Sequence, residues 1–302
     1  MQNREKIVLI PTYYAKHLAK SIANSQSLDD QIQIVYPIGN SENQESFPDG
    51  EVYTRLPLEL VNDFEGRIVV LHSGMPNPND GLIRLQMILS ILSRSKARVE
   101  VFFAYFSYGM QDHAKHDGET NMARDIISTL VNYYNVEKIY LLDPHFGGQT
   151  WLFDYPIVQV SAVPILYSAA RQDYPDVIFM APDAGSQRRT NLSGTEKERH
   201  NSFDVEIKWG EEFRSSVEGK VVAVVDDLIE TGGTMVMFNE VCKECGAEKT
   251  IAVSTHGVLL SGINRVKSYF DHLYLTNSID RGEDSNVDTS FLIVDAILNP
   301  SS

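Results

Sequence analysis

A chain of 302 residues, 43% hydrophobic and 22% charged, has the composition of an ordinary globular protein and a length that suggests two domains. Its 41 acidic residues outnumber 26 basic ones and leave a net charge of −15, which argues against nonspecific binding to nucleic acid because the phosphate backbone would be repelled. No apolar run approaches the length of a membrane span, and Met1-Gln2-Asn3-Arg4-Glu5-Lys6 lacks the apolar core of a signal peptide, so no membrane association and a cytoplasmic setting are expected.

Apolar strands and amphipathic helices alternate along the chain, the pattern of an α/β protein with mainly parallel sheets flanked by helices. Residues 6–11 read as a first strand, followed by a helix around 15–24. Leu82, Leu85, Ile88, Leu89 and Leu92 recur at helical spacing and predict a helix over 82–93. Residues 99–106 form a dense apolar strand, 122–134 a helix with Ala123, Ile126, Ile127, Leu130 and Val131 inward, and 138–143 a strand ending in Pro144-His145. A second round of this rhythm begins near Tyr155, with a helix over 163–171, a strand over 177–181, a strand over 220–226 and its helix, a strand over 250–255 ending in His256-Gly257, and a short strand over 273–276. The polar stretch 190–206 has no periodicity and reads as a mobile loop. Domains are expected at 1–150 and 151–302, with the C-terminal end a candidate to pack back on the first.

The only cysteines, Cys242 and Cys245, stand as Cys-Lys-Glu-Cys late in a predicted helix rather than at its N-terminus, where thiolates are stabilised. Two ligands do not make a structural zinc site, and inert helix residues in a reducing compartment are the reading set against a thioredoxin-like pair.

Chemistry concentrates in residues 221–234. Five apolar residues, mostly β-branched, form a buried strand, Asp226 and Asp227 are expected where it ends, and Glu230-Thr231-Gly232-Gly233-Thr234 leads into the helical stripe Val236, Met237, Val241. Glycines let backbone N–H groups close on a phosphate, threonine hydroxyls add donors, and a helix N-terminus favours the anion. The phosphate would be repelled by the two acids, whose partners are then ribose hydroxyls or a metal. An ordinary strand–turn–helix with a capping threonine is the plain alternative. Two further loops follow strands, where open α/β sheets bind ligands: Asp143-Pro144-His145-Phe146-Gly147-Gly148-Gln149 and Pro182-Asp183-Ala184-Gly185. Asp183 offers the oxygen that magnesium prefers; His145 is a poorer ligand, for which contact through water, contact to a phosphate, or a capping role stand beside metal binding. In so acidic a chain, anionic substrates need local positive charge, and Arg188, Arg189, Lys197 and Arg199 are its obvious source.

These blocks, and two in the N-terminal half, resemble the ribose-phosphate pyrophosphokinase (phosphoribosyl-pyrophosphate synthetase) family of the type I phosphoribosyltransferase fold, over nearly the whole chain. The resemblance implies two similar phosphoribosyltransferase-like domains and transfer of a diphosphoryl group from ATP to ribose 5-phosphate, with Mg2+ as cofactor. It assigns ribose 5-phosphate to Asp226, Asp227, Glu230, Thr231, Gly232, Gly233 and Thr234, with Glu230 standing where the family commonly has Asp. Asp183, Ala184, Gly185 and Arg189 match its diphosphate loop, with Ser186 in place of a second glycine, and His145 with Asp183 would hold the metal. Lys197 and Arg199 match a catalytic loop whose cations stabilise the transferring group. Phe47-Pro48-Asp49-Gly50-Glu51 resembles the block in which an aromatic ring stacks on adenine and acids accept from its exocyclic amine, in a site completed by a neighbouring subunit. A homo-oligomer, dimer or higher, is therefore expected. Gln111 and Asp112 match a further nucleotide block, in which Met110 replaces an arginine on the adenine ring. A noncatalytic regulatory homologue and a phosphoribosyltransferase are the alternatives. The presence of the catalytic and acidic residues argues against the first, and the additional N-terminal domain against the second.

Overall fold

In the computed structural model, residues 6–25, 31–183, 185–186 and 211–300 are described. The chain divides into two compact units, one comprising Met1–Ser161, Ser278–Asp280 and Asp288–Ser302, the other Ala162–Asn277 and Arg281–Val287.

The first unit is built on a six-stranded sheet of β1 (Ile7–Pro11), β2 (Ile32–Ile34), β3 (Arg67–Ser73), β4 (Arg98–Tyr105), β5 (Lys138–Leu142) and β6 (Ile157–Val160), in the order β2-β1-β3-β4-β5-β6. Every pairing in it is parallel. β1 and β3 are buried along their whole length, and their runs of Ile, Val and Leu are what a strand covered on both faces requires. Helices α1 (Lys16–Asn24), α2 (Leu58–Asn62), α3 (Pro78–Leu92) and α4 (Met122–Asn132) accompany the sheet. The stripe Leu85, Ile88, Leu89, Leu92 of α3 faces inward as its spacing predicts, and α4 opens on Asn121, whose side chain accepts from Arg124 N at 3.0 Å.

The second unit has four parallel strands, β7 (Ile178–Met180), β8 (Val221–Ile229), β9 (Lys249–Gly257) and β10 (His272–Leu275), side by side in chain order. Helices α5 (Val163–Asp173), α6 (Glu211–Val217), α7 (Gly233–Glu244) and α8 (Leu260–Tyr269) belong to it. A core of Val222, Val224, Val236, Phe238, Cys242, Ala252, Ile263 and Val266 joins α7 and α8 to the sheet. Cys242 is fully buried, and burial, with Cys245 beside it, pushes its thiol up to about 12, which suits an unreactive packing residue.

The last helix, α9 (Ser290–Leu298), returns to the first unit. Arg67, at the start of β3, donates to both carboxylate oxygens of Glu100 at 3.0 and 2.8 Å and to the Ile297 carbonyl of α9 at 3.0 Å. Both charges are buried, and pairing is the condition on which such groups are tolerated there.

Four features depart from the sequence reading. β3 is an unanticipated inner strand. β6 pairs with β5, so the first sheet is complete only at Val160 and the units divide after Ser161 rather than at 150. β8 does not end at the acidic pair: Asp226 pairs with Ser254, Leu228 with His256 and Ile229 with Gly257. β9 likewise runs through His256-Gly257, because each strand supplies the other with backbone partners over those extra rungs.

Candidate active site

The acidic pair therefore sits within a paired strand. Successive side chains of a strand leave on opposite faces, so Asp226 and Asp227 do not act as one chelating unit. Asp227 is buried. Asp226 Oδ1 accepts from Ser186 Oγ at 2.7 Å and from the Asp227 backbone N–H at 3.0 Å. Ser186 lies in the loop after β7, where Asp183 Oδ1 accepts from the N–H groups of Gly185 and Ser186 at 2.8 and 2.9 Å. The segment after β7 and strand β8, far apart in sequence, are thereby joined, and Asp183, Gly185 and Asp226 come together. Ala184, Arg188, Arg189, Lys197 and Arg199 lie outside the described residues.

Beyond Ile229 the chain turns into α7. Gly232 adopts a left-handed conformation (φ +70°) at its N-cap, and no side chain caps the helix. The first N–H groups of α7 thus have no side-chain acceptor from the cap, the condition in which a helix end receives an anion. Glu230, Thr231 and Thr234 are exposed there. Two residues of α8 that sequence reasoning missed shape this turn. Gly262 packs directly under it: a Cβ at 262 would stand 1.9 Å from the Glu230 carbonyl oxygen. Arg265, one turn further on, places Nη1 3.6 Å from where a Cβ on Gly233 would lie, so an exposed guanidinium stands beside the uncapped helix end. Helical spacing from Gly262 is the only sequence signal for Arg265, and it is visible only once the 262 contact is known.

In the first unit, Phe47 is 41% exposed at the head of a tight turn. Its N–H donates to Glu51 O at 2.7 Å, Gly50 takes φ +94°, and Asp49 Oδ1 accepts from Glu51 N at 3.0 Å. Glu45, just before the turn, lies between Lys16 and Arg84, whose Nη1 also donates to its carbonyl at 3.1 Å. The turn is thus tethered to α1 and α3, with Phe47, Asp49 and Glu51 presented to solvent.

Met110 (41% exposed) and Gln111 project from the segment after β4. Asp112 does not: its oxygens accept from Gln149 Nε2 at 2.8 Å and meet His113 Nδ1 at 2.6 Å. Asp112 ties this segment to the loop that carries His145, a tie reinforced by the Phe106 and Phe146 rings at 4.9 Å. His145 belongs to the first unit and Asp183 to the second, and among the described residues no group of three His, Cys, Asp or Glu forms a complete metal cage. Oxygen donors that leave most of the coordination shell to water and substrate phosphates suit magnesium.

A carboxylate junction on an inner strand of a parallel sheet, followed by an uncapped helix end with a guanidinium beside it, has the chemistry to suit a polyhydroxylated, phosphorylated ligand. Residues 7–133 match the model of the N-terminal domain of ribose phosphate pyrophosphokinase, and residues 205–298 match that of the phosphoribosyl synthetase-associated domain. Ribose-phosphate pyrophosphokinase of Thermococcus kodakarensis is 33% identical over 245 residues, 77% of this chain and 84% of the relative. The enzyme of that name from Pyrococcus furiosus is 28% identical over 268 residues, 85% and 92% of the two chains. A crystal structure of phosphoribosylpyrophosphate synthetase from Mycobacterium smegmatis shares the fold, with a TM-score of 0.74 at 20% identity over 98% of this chain and 100% of that one. The chain belongs to the ribose-phosphate pyrophosphokinase family.

Proposed function

We propose that this protein transfers the diphosphoryl group of ATP to the 1-hydroxyl of ribose 5-phosphate, giving 5-phosphoribosyl 1-diphosphate and AMP. The observation that carries the reading is the junction of Asp183, Ser186 and Asp226 between β8 and the segment after β7. The 1-hydroxyl oxygen attacks the β-phosphorus in line, its proton passes to solvent, and the bond from the β-phosphorus to the bridging oxygen breaks with its electron pair leaving on AMP. Asp226 accepts from the ribose hydroxyls, and Asp227, buried on the other face of β8, supports it through its backbone N–H. The N–H groups and hydroxyls of residues 231–234 hold the 5-phosphate, with Arg265 adding positive charge that so acidic a chain must place locally. Gly185 and Arg189 cradle the diphosphate, and Lys197 and Arg199 stabilise charge on its nonbridging oxygens as transfer proceeds. Asp183 would hold Mg2+, with His145 as its companion. Bound magnesium would neutralise the nucleotide phosphates.

Phe47 would cover the adenine ring, with Asp49 and Glu51 accepting from the exocyclic amine and Gln111 at its margin. Asp112 would serve by holding the Met110 segment in place. A nucleotide site of this kind is expected to be shared between subunits of a homo-oligomer. Met110 offers polarisable apolar cover without charge, so ATP is expected to bind better than GTP but with relaxed preference. Met110→Arg is expected to tighten ATP binding by about 0.5–2 kcal/mol through stacking of the guanidinium. Loss of ATP binding in that variant would show that residue 110 does not face the base.

Product analysis tests the reaction. With ATP, ribose 5-phosphate and magnesium, AMP and 5-phosphoribosyl 1-diphosphate should appear in equal amounts. ADP with a singly phosphorylated C1 would mean transfer of one phosphoryl group instead.

A further inference from the structure

Ser186 is completely buried, yet its hydroxyl is placed between two carboxylates, 2.7 Å from Asp226 Oδ1 and 3.3 Å from Asp183 Oδ1. A hydroxyl has one proton to donate, and the shorter contact identifies Asp226 as its acceptor. Its backbone N–H serves Asp183 at 2.9 Å. One residue therefore fixes two carboxylates, Asp183 after β7 and Asp226 in β8, through different groups. An aspartate carboxylate turns about its Cβ–Cγ bond unless one oxygen is held. Here Oδ1 is held twice, by Ser186 Oγ and by the Asp227 N–H.

We propose that Ser186 is a positioning residue for ribose 5-phosphate: its hydroxyl fixes the orientation in which Asp226 meets a ribose hydroxyl, and couples that acid to the Asp183 loop. The proposal rests on the diphosphokinase reading. With the hydroxyl gone, Asp226 must lose rotational freedom when the sugar binds, and the substrate interaction weakens by that cost and by the lost polarisation of the acceptor. Alanine or glycine at 186 leaves the N–H to Asp183 in place. The two carboxylates are thus separable by mutation.

The experiment is calorimetric titration of ribose 5-phosphate into the whole protein and its Ser186→Ala, Ser186→Gly, Asp226→Ala and Ser186→Ala/Asp226→Ala variants, with ATP affinity measured in parallel. Ser186→Ala and Ser186→Gly should each weaken ribose 5-phosphate binding by about 10- to 150-fold, the range for a hydrogen bond to a charged group. ATP affinity should stay within about two-fold, since a general loss of structure would lower both. In the Asp226→Ala background the same serine substitution should change ribose 5-phosphate affinity by less than about two-fold, because the group it acts through is gone. Equal losses in both backgrounds overturn the proposal, as does wild-type affinity in both serine variants. Glycine keeps the test decisive if alanine at this buried position fails to fold. A wild-type protein that does not bind ribose 5-phosphate overturns the diphosphokinase reading and this inference with it; wild-type binding with unaltered serine variants overturns this inference alone.

Discussion

Lys197→Ala and Arg199→Ala are each expected to lower kcat by about 10²-fold or more. As the diphosphoryl group passes between oxygens, negative charge grows on its nonbridging oxygens, and cations that meet it only then act on the barrier rather than on substrate binding. Ribose 5-phosphate affinity should stay within about two-fold, because that substrate is assigned to Asp226 and the residue 230–234 turn. A rise in KM for ribose 5-phosphate with undiminished kcat would move both residues out of the transferring-group role. Turnover at the wild-type rate in both variants would remove them from the mechanism.

Gly262→Ala is expected to raise KM for ribose 5-phosphate on the order of 10²-fold, although residue 262 touches no substrate. The new Cβ would stand 1.9 Å from Glu230 O and 2.8 Å from Glu230 C, and backbone cannot rotate out of the way as a side chain can. The turn must lift from α8, and a displacement of about 1 Å at a binding loop is enough for a loss of that size. Gly232 lies in the same contact, its own Cβ position 2.8 Å from Val266 and 3.0 Å from Gly262 O, so the shift would reach the α7 end that receives the phosphate. ATP affinity, assigned to the first unit, should be retained, and the thermal unfolding midpoint should fall. Wild-type KM in Gly262→Ala would show that the turn is not seated on α8.

The alternation of strands and helices was legible because period and run length differ so clearly between segments such as Val99-Glu100-Val101-Phe102 and the Leu85, Ile88, Leu89, Leu92 stripe. Three-residue strands such as β2 and β7 carry too little pattern to be read with their bounds. β3 is a different case: Ile68-Val69-Val70-Leu71 is a plain buried-strand run, and its signal was present in the composition. The extension of β8 past Asp226 was not legible, because carboxylates usually mark a strand's end and only the equally long β9 keeps them paired. Candidate ligand residues stood out through local motifs, since a phosphate turn is built from neighbours. Gly262 and Arg265 did not, and Ser186 stood out only as a replaced glycine, because each acts on a residue distant in sequence: Ser186 on Asp226, Gly262 on Glu230, Arg265 on the Gly233 end of α7. Asp112 shows the converse. Its motif marks it as a nucleotide contact, whereas its carboxylate is engaged with Gln149 and His113.

Transfer of a diphosphoryl group to ribose 5-phosphate is read most directly by isotopic labelling of the donor. The protein is incubated with ribose 5-phosphate, magnesium and ATP labelled with ³²P at the β-phosphorus, and the products are separated. The account predicts that the β-label appears in 5-phosphoribosyl 1-diphosphate in step with the formation of AMP, and that an α-label remains in AMP. Label retained in ADP, or released as free diphosphate without a labelled sugar, would contradict it.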